Sequence, residues 1–150
     1  MDALEKLLAN GELEKAERYL LDYLDNKPDA AGYNKLGLVY VNLQNGVKAQ
    51  ECFNKALELN PTFVNALNNL GNLARQTGNF EEAVRYYEKA IEIDSGISGI
   101  HKNLAGVYKQ LKRYQDYKRE KEIVKNLGGN KSPLIEVKEL FSDLFRLIKG

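Results

Sequence analysis

The chain has 150 residues, 29% of them charged, yet 22 bases nearly balance 21 acids and the formal net charge is only +1. That length fits one domain with a sizeable core, and no apolar run reaches the roughly 18 residues a transmembrane helix needs. The Met1-Asp2-Ala3-Leu4-Glu5-Lys6 start lacks the basic region of a secretory signal; the lone Cys52 has no internal disulfide partner. A cytoplasmic setting is expected.

In chain order, almost every segment reads as helix. Residues 1–29 form a partial unit, with a short first helix near Asp2–Ala9 and then Gly11, Ala16, Leu20 and Pro28. From Gly32 to Leu43, Tyr33, Leu36, Gly37 and Tyr40 recur at three- and four-residue steps and share one helical face. The turn Gln44-Asn45-Gly46 ends that helix. A second helix follows, with Ala49, Phe53, Ala56 and Leu57 inward, and Pro61 forbids its continuation. The plan then repeats, with a turn at Thr77-Gly78-Asn79, a helix from about Phe80 to Ile93, and a break at Asp94-Ser95-Gly96. After a third copy come Gly128-Gly129-Asn130, and Ser132-Pro133 reads as N-cap and first helical residue. The last helix, over 132–149, carries Leu134, Val137, Leu140, Phe141, Leu144, Phe145 and Ile148 on one stripe.

The copies occupy 30–63, 64–97 and 98–129, a period of 34 residues. Tyr33, Leu36, Gly37, Tyr40, Ala49, Phe53, Ala56 and Pro61 correspond to Leu67, Leu70, Gly71, Ala74, Ala83, Tyr87, Ala90 and Ser95, then to His101, Leu104, Ala105, Tyr108, Tyr117, Lys121, Val124 and Gly129. The small residues let helices approach. Gly37 and Gly71 admit the paired helix, Ala49 and Ala83 mark where the two helices touch, and Ala56 and Ala90 mark where the next hairpin arrives. Larger side chains at such crossings cost about 1–3 kcal/mol through overpacking.

These residues resemble the tetratricopeptide repeat, a helical hairpin of this period. The first copy matches the signature at all eight positions. The second departs at Leu67, Ala74 and Ser95, and the third loses the second-helix signature at Tyr117 and Lys121. The resemblance spans about residues 11–127. It implies an all-α fold, a right-handed α-α solenoid of hairpins whose first helices line a concave groove, closed by the C-terminal helix as a cap. It also implies binding of an extended or helical peptide rather than catalysis. Within the family, one subset captures chaperone C-termini through a two-carboxylate clamp. Here Asn69 fits the clamp's central asparagine, but Asn34, Leu38, Gly99 and Asn103 replace its other residues, so that partner is disfavoured.

The outward side of the three first helices holds 18 positions: Ala31, Asn34, Lys35, Leu38, Val41 and Asn42; Asn65, Asn68, Asn69, Asn72, Arg75 and Gln76; Gly99, Lys102, Asn103, Gly106, Lys109 and Gln110. Nine are amides, four are basic and none is acidic, although the chain has 21 acids. Carboxamides offer donors and an acceptor to an extended peptide backbone. Asn69 and Asn103, one repeat apart, form two rungs of such a ladder, while Lys35, Arg75, Lys102 and Lys109 favour an acidic partner. The candidate peptide-binding residues are Asn34, Lys35, Asn65, Asn68, Asn69, Asn72, Arg75, Lys102, Asn103 and Lys109.

Other constellations are weaker. Lys109–Lys125 holds seven bases, three acids, Tyr114 and Tyr117, but Asp116, Glu120 and Glu122 sit at the spacings of helix-surface pairing, so nucleic acid is disfavoured. His101 stands at a core-facing position without a cysteine cluster near it, and Cys52 lies on an outer helix. Metal-ligand spacing, a phosphate loop and a nucleophile elbow are all missing, so neither an enzyme nor a cofactor is expected. Residues 1–29 carry four bases and eight acids, and residues 98–150 carry twelve and six. With Phe141 and Phe145 as anchors, that asymmetry supports an alternative reading, a homo-oligomeric scaffold.

Overall fold

The computed structural model describes residues 3–128. Among them are eight helices and no strand: α1 (Ala3–Ala9), α2 (Leu13–Asn26), α3 (Ala30–Asn42), α4 (Gly46–Leu59), α5 (Val64–Gln76), α6 (Phe80–Ile93), α7 (Ser98–Gln110) and α8 (Tyr114–Asn126). From α3 onward the helix starts recur at 30, 64 and 98 and at 46, 80 and 114, so the 34-residue period holds in the backbone through all three copies. The C-terminal helix expected over 132–149, with Phe141 and Phe145, lies outside the described residues. Two compact units divide the chain, one up to Phe63 and one starting at Val64.

Each hairpin turns in the same way. Gln44, Gly78 and Lys112 stand at equivalent offsets with φ of 60°, 81° and 58°. The following amide then reaches five residues back: Asn45 N to Tyr40 O at 2.8 Å, Asn79 N to Ala74 O at 2.8 Å, and Arg113 N to Tyr108 O at 2.9 Å. These bonds satisfy carbonyls that the end of a helix would otherwise leave open.

In unit 1, α1 packs on α2, α2 on α3 and α3 on α4. Asp29 caps α3, its Oδ1 accepting from Gly32 N at 2.6 Å, while its Oδ2 accepts from the Tyr23 hydroxyl at 2.6 Å. Those two bonds, that of Tyr23 first, hold the Asp29 carboxyl below the usual carboxylate range. Tyr40 is buried and donates to Glu17 Oε1 at 2.7 Å, which ties α3 to α2. Ala49, Phe53 and Ala56 are fully buried, and a Cβ on Gly37 would stand 2.5 Å from the Phe53 ring. The close approach of α3 to α4 therefore requires glycine at that point.

Unit 2 repeats this contact. A Cβ on Gly71 would stand 2.5 Å from the Tyr87 ring, and Ala83 and Ala90 are fully buried. The third hairpin forms without the signature of its second helix. Ala105 replaces the glycine and exposed Lys121 replaces the ring, so a methyl group is tolerated where no ring presses on it. In α8 the one buried residue is Glu120. Its Oε2 lies 2.6 Å from His101 Nδ1, and His101 Nε2 donates to Ser95 O at 3.0 Å. Both side chains are nearly inaccessible, 3% for His101 and 5% for Glu120. Glu120, expected at a surface pair, is instead the buried polar tie between α7 and α8.

Candidate functional site

The inward face of each first helix is wider than a single stripe. The buried residues of α3 are Gly32, Asn34, Leu36, Gly37, Val39 and Tyr40. In α5 they are Ala66, Leu67, Asn68, Leu70, Gly71 and Ala74, whereas α7 leaves Lys102, at the offset of Asn34 and Asn68, exposed. Helices covered on more than one side keep only a narrow accessible strip, at steps of three and four residues. Two expectations fail for this reason. Asn34 and Asn68 are each 7% exposed and do not belong to the accessible surface.

In unit 2 the strip on α5 consists of Asn65, Asn69, Asn72 and Arg75, all partly accessible, and exposed Gln76. The strip on α7 consists of Gly99, Lys102, Asn103, Gly106, Lys109 and Gln110, of which Lys102, Lys109 and Gln110 are exposed. No carboxylate stands on either strip. Asn103 Nδ2 donates to Asn68 Oδ1 at 3.0 Å and joins the two helices. Buried Asn68 thus holds a partly accessible neighbour rather than meeting a ligand. The Tyr87 hydroxyl donates to Asn72 Oδ1 at 2.7 Å, which fixes which end of that amide faces outward. Burial raises the Tyr87 phenol well above its ordinary value, so the hydroxyl stays protonated as a donor. Across the strips, Arg75 Nη1 lies 3.6 Å from the place a Cβ on Gly106 would take.

In unit 1 the strip on α3 holds Ala31, Lys35, Leu38, Val41 and Asn42. Lys35 is exposed, and Asn42 Nδ2 donates to Leu38 O at 2.8 Å within the helix. This strip is therefore more aliphatic than those of unit 2.

The sequence pointed to the amides but not to what holds them. A readable signal existed: Tyr87 and Asn72 stand at the offsets where the first copy has Phe53 and Leu38, so a hydroxyl and an acceptor entered together. Elsewhere, the α8 cations are largely engaged. Arg113 and Arg119 pair with Asp116 at 2.8 and 2.9 Å, and Arg113 also lies 4.5 Å over the Tyr108 ring. Cys52 is buried, and burial pushes its thiol up to about 11. Among the described residues no group of three or more His, Cys, Asp or Glu could hold a metal ion, and no helix is long and apolar enough to cross a membrane.

A model of the tetratricopeptide repeat family matches residues 28–96 and, overlapping it, 62–122. No curated protein matches the sequence. Among solved structures, a crystal structure of MamA protein is similar with a TM-score of 0.74 at 18% identity, over 83% of this chain and 68% of that one. MamA MSR-1 gives 0.70 at 21% identity, over 84% and 73%, and MamA AMB-1 gives 0.69 at 24% identity, over 82% and 73%. At these identities the likeness is one of fold.

Proposed function

Because the chain belongs to the tetratricopeptide repeat family, a family of protein-interaction modules, we propose that it is an adaptor that holds an extended, acidic peptide against its first helices. The observation that carries this reading is the carboxylate-free pair of strips on α5 and α7, with Asn65, Asn69, Asn72 and Asn103 interleaved with Arg75, Lys102 and Lys109. Taken by itself, the strip of unit 1 carries exposed Lys35 with aliphatic Leu38 and Val41. Asn69 and Asn103 serve as the rungs for peptide N–H and C=O groups, and the cations speed encounter with an acidic chain. Asn68 acts behind the surface by orienting Asn103. The single cysteine suits a cytoplasmic setting.

The test is a selection of binders from a displayed random peptide library, followed by affinity measurement against Asn69→Ala combined with Asn103→Ala. Selected peptides should be rich in acids and lose about tenfold or more in affinity for the double variant, roughly the loss of one or two backbone hydrogen bonds. Equal affinity for a double variant with unchanged helical circular dichroism would remove the reading.

A homo-oligomeric scaffold is the second reading, favoured by the charge asymmetry between residues 1–29 and 98–150. Light scattering across concentration decides it: a mass that stays monomeric dismisses self-assembly.

A further inference from the structure

Arg75 enters no ion pair among the described residues. The ion pairs there join Lys15 to Glu12, Lys48 to Glu17, Arg119 to Glu120, Arg113 and Arg119 to Asp116, and Lys125 to Glu122. The residue is also half-buried, and its Nη1 faces Gly106 across the two strips, 3.6 Å from a would-be Cβ. Gly106 stands at the offset where α5 has Asn72 and α3 has Leu38. The third copy therefore omits the side chain that would lie beside the guanidinium.

Asn72, one turn before Arg75, adds a donor. Its Oδ1 is occupied by the Tyr87 hydroxyl, so its amide NH2 is the end left to meet a ligand. Lys109 repeats the offset of Arg75 on α7, and it and Lys102 are exposed. The whole cluster donates and carries positive charge. An anionic acceptor gives such a cluster its strongest hydrogen bonds.

We infer that Arg75, the Asn72 amide nitrogen and the opening over Gly106 form a seat for a side-chain carboxylate of the bound peptide, an inference that rests on the peptide-binding reading above. A guanidinium takes a carboxylate through parallel N–H donors. Partial burial strengthens that pairing beyond what a fully solvated pair achieves. The seat selects an acidic residue at one place in the peptide, whereas the amide rungs accept any backbone.

The probes are two fluorescein-labelled peptides, a hexaglutamate with an amidated C-terminus and a hexaglutamine with a free carboxyl terminus, followed by fluorescence anisotropy. The amidated hexaglutamate should bind more tightly. Arg75→Gln should weaken it about tenfold, and Lys118→Gln, which removes the same charge from exposed α8, should not. Gly106→Ala gives a readout that a structural role cannot mimic. Its Cβ makes ordinary contact with Arg75, and alanine favours the helix interior over glycine, so Tm should rise while affinity falls about threefold.

Equal weakening by Arg75→Gln and Lys118→Gln would overturn the seat in favour of diffuse charge attraction. Equally tight binding of the hexaglutamine with its free terminus would overturn the side-chain assignment, and absence of hexaglutamate binding to the unaltered protein would overturn the whole inference. If Asn69→Ala with Asn103→Ala abolishes binding but Arg75→Gln does not, the peptide-binding reading stands and the seat fails. If neither variant weakens it, both fall.

Discussion

The same helix–helix crossing is built twice, once in each unit, with different chemistry. In unit 1 the Phe53 ring closes over Gly37, and the next residue on α3 is Leu38. In unit 2 the Tyr87 ring closes over Gly71, and the next residue on α5 is Asn72, whose Oδ1 accepts the Tyr87 hydroxyl at 2.7 Å. The rings meet their glycines at the same 2.5 Å spacing to a would-be Cβ. Packing fixes the ring and the glycine, while the polar pair is an addition that must arrive whole, because the hydroxyl of a buried tyrosine or a half-buried amide without its partner costs free energy. The addition also changes the accessible strip beside it. Unit 1 shows aliphatic Leu38 and Val41 there, and unit 2 shows Asn72 and Arg75. A core substitution and a surface preference are thus linked through one hydrogen bond.

The third hairpin sharpens the comparison, because it has neither ring nor glycine. Removing the ring should be severe where a ring exists. Phe53→Ala and Tyr87→Ala are expected to lose about 3–5 kcal/mol each, while Lys121→Ala at the same offset should change stability by less than about 0.5 kcal/mol. Urea denaturation followed by circular dichroism measures all three. A large loss at Lys121 would mean that its side chain, whose Nζ lies 5.8 Å from the centroid of the Tyr117 ring, stands in for the missing aromatic.

The converse substitution tests the glycines. Gly37→Ala and Gly71→Ala push a methyl group into a packed ring and should cost about 1–3 kcal/mol by overpacking, despite alanine's better helix propensity. Ala105→Gly, made where no ring presses, should cost only about 0.5–1 kcal/mol, the backbone entropy of glycine in a helix. If all three changes followed helix propensity alone, the close-approach account of Gly37 and Gly71 would be wrong.

A double-mutant cycle isolates the polar pair. Tyr87→Phe should cost about 0.5–1.5 kcal/mol in the natural background and nearly nothing in an Asn72→Leu background, where the pair already resembles Phe53 with Leu38. Additive effects, with no coupling between the two sites, would show that the 2.7 Å hydrogen bond contributes nothing to stability.

These contrasts also mark where the sequence was informative. Glycine, alanine and ring positions were legible because each is a shape requirement recurring at a fixed offset. Turns were legible because Gly46 and Gly78 follow amphipathic runs. The accessible strip was legible only in part. Treating each first helix as covered on one side put Asn34 and Asn68 outside, whereas coverage on more than one side buries them. What holds α8 was not legible at all. The Glu120–His101 tie joins residues 19 apart in different helices, and no local pattern announces such a pair. Arg75 facing Gly106 is a similar case, since glycine at that offset reads as an absence until a neighbouring helix supplies the guanidinium.

The smallest expected effects concern the turns, where both units again place different residues in one conformation. Gln44, Gly78 and Lys112 all have positive φ, a region that costs a residue with a Cβ about 1–2 kcal/mol and glycine almost nothing. Gln44→Gly and Lys112→Gly relieve that cost but also loosen the unfolded chain, which takes back about 0.4–1 kcal/mol. Each should therefore gain about 0.5–1 kcal/mol in total. Gly78→Ala should lose about 1 kcal/mol, and since nothing beyond its chain neighbours lies within 4 Å of its would-be Cβ, that loss comes from the backbone alone. Thermal melts of the three variants at one pH decide the matter. A gain at Gly78→Ala, or losses at both glycine substitutions, would mean that side-chain contacts of Gln44 and Lys112 outweigh the conformation that the three turns share.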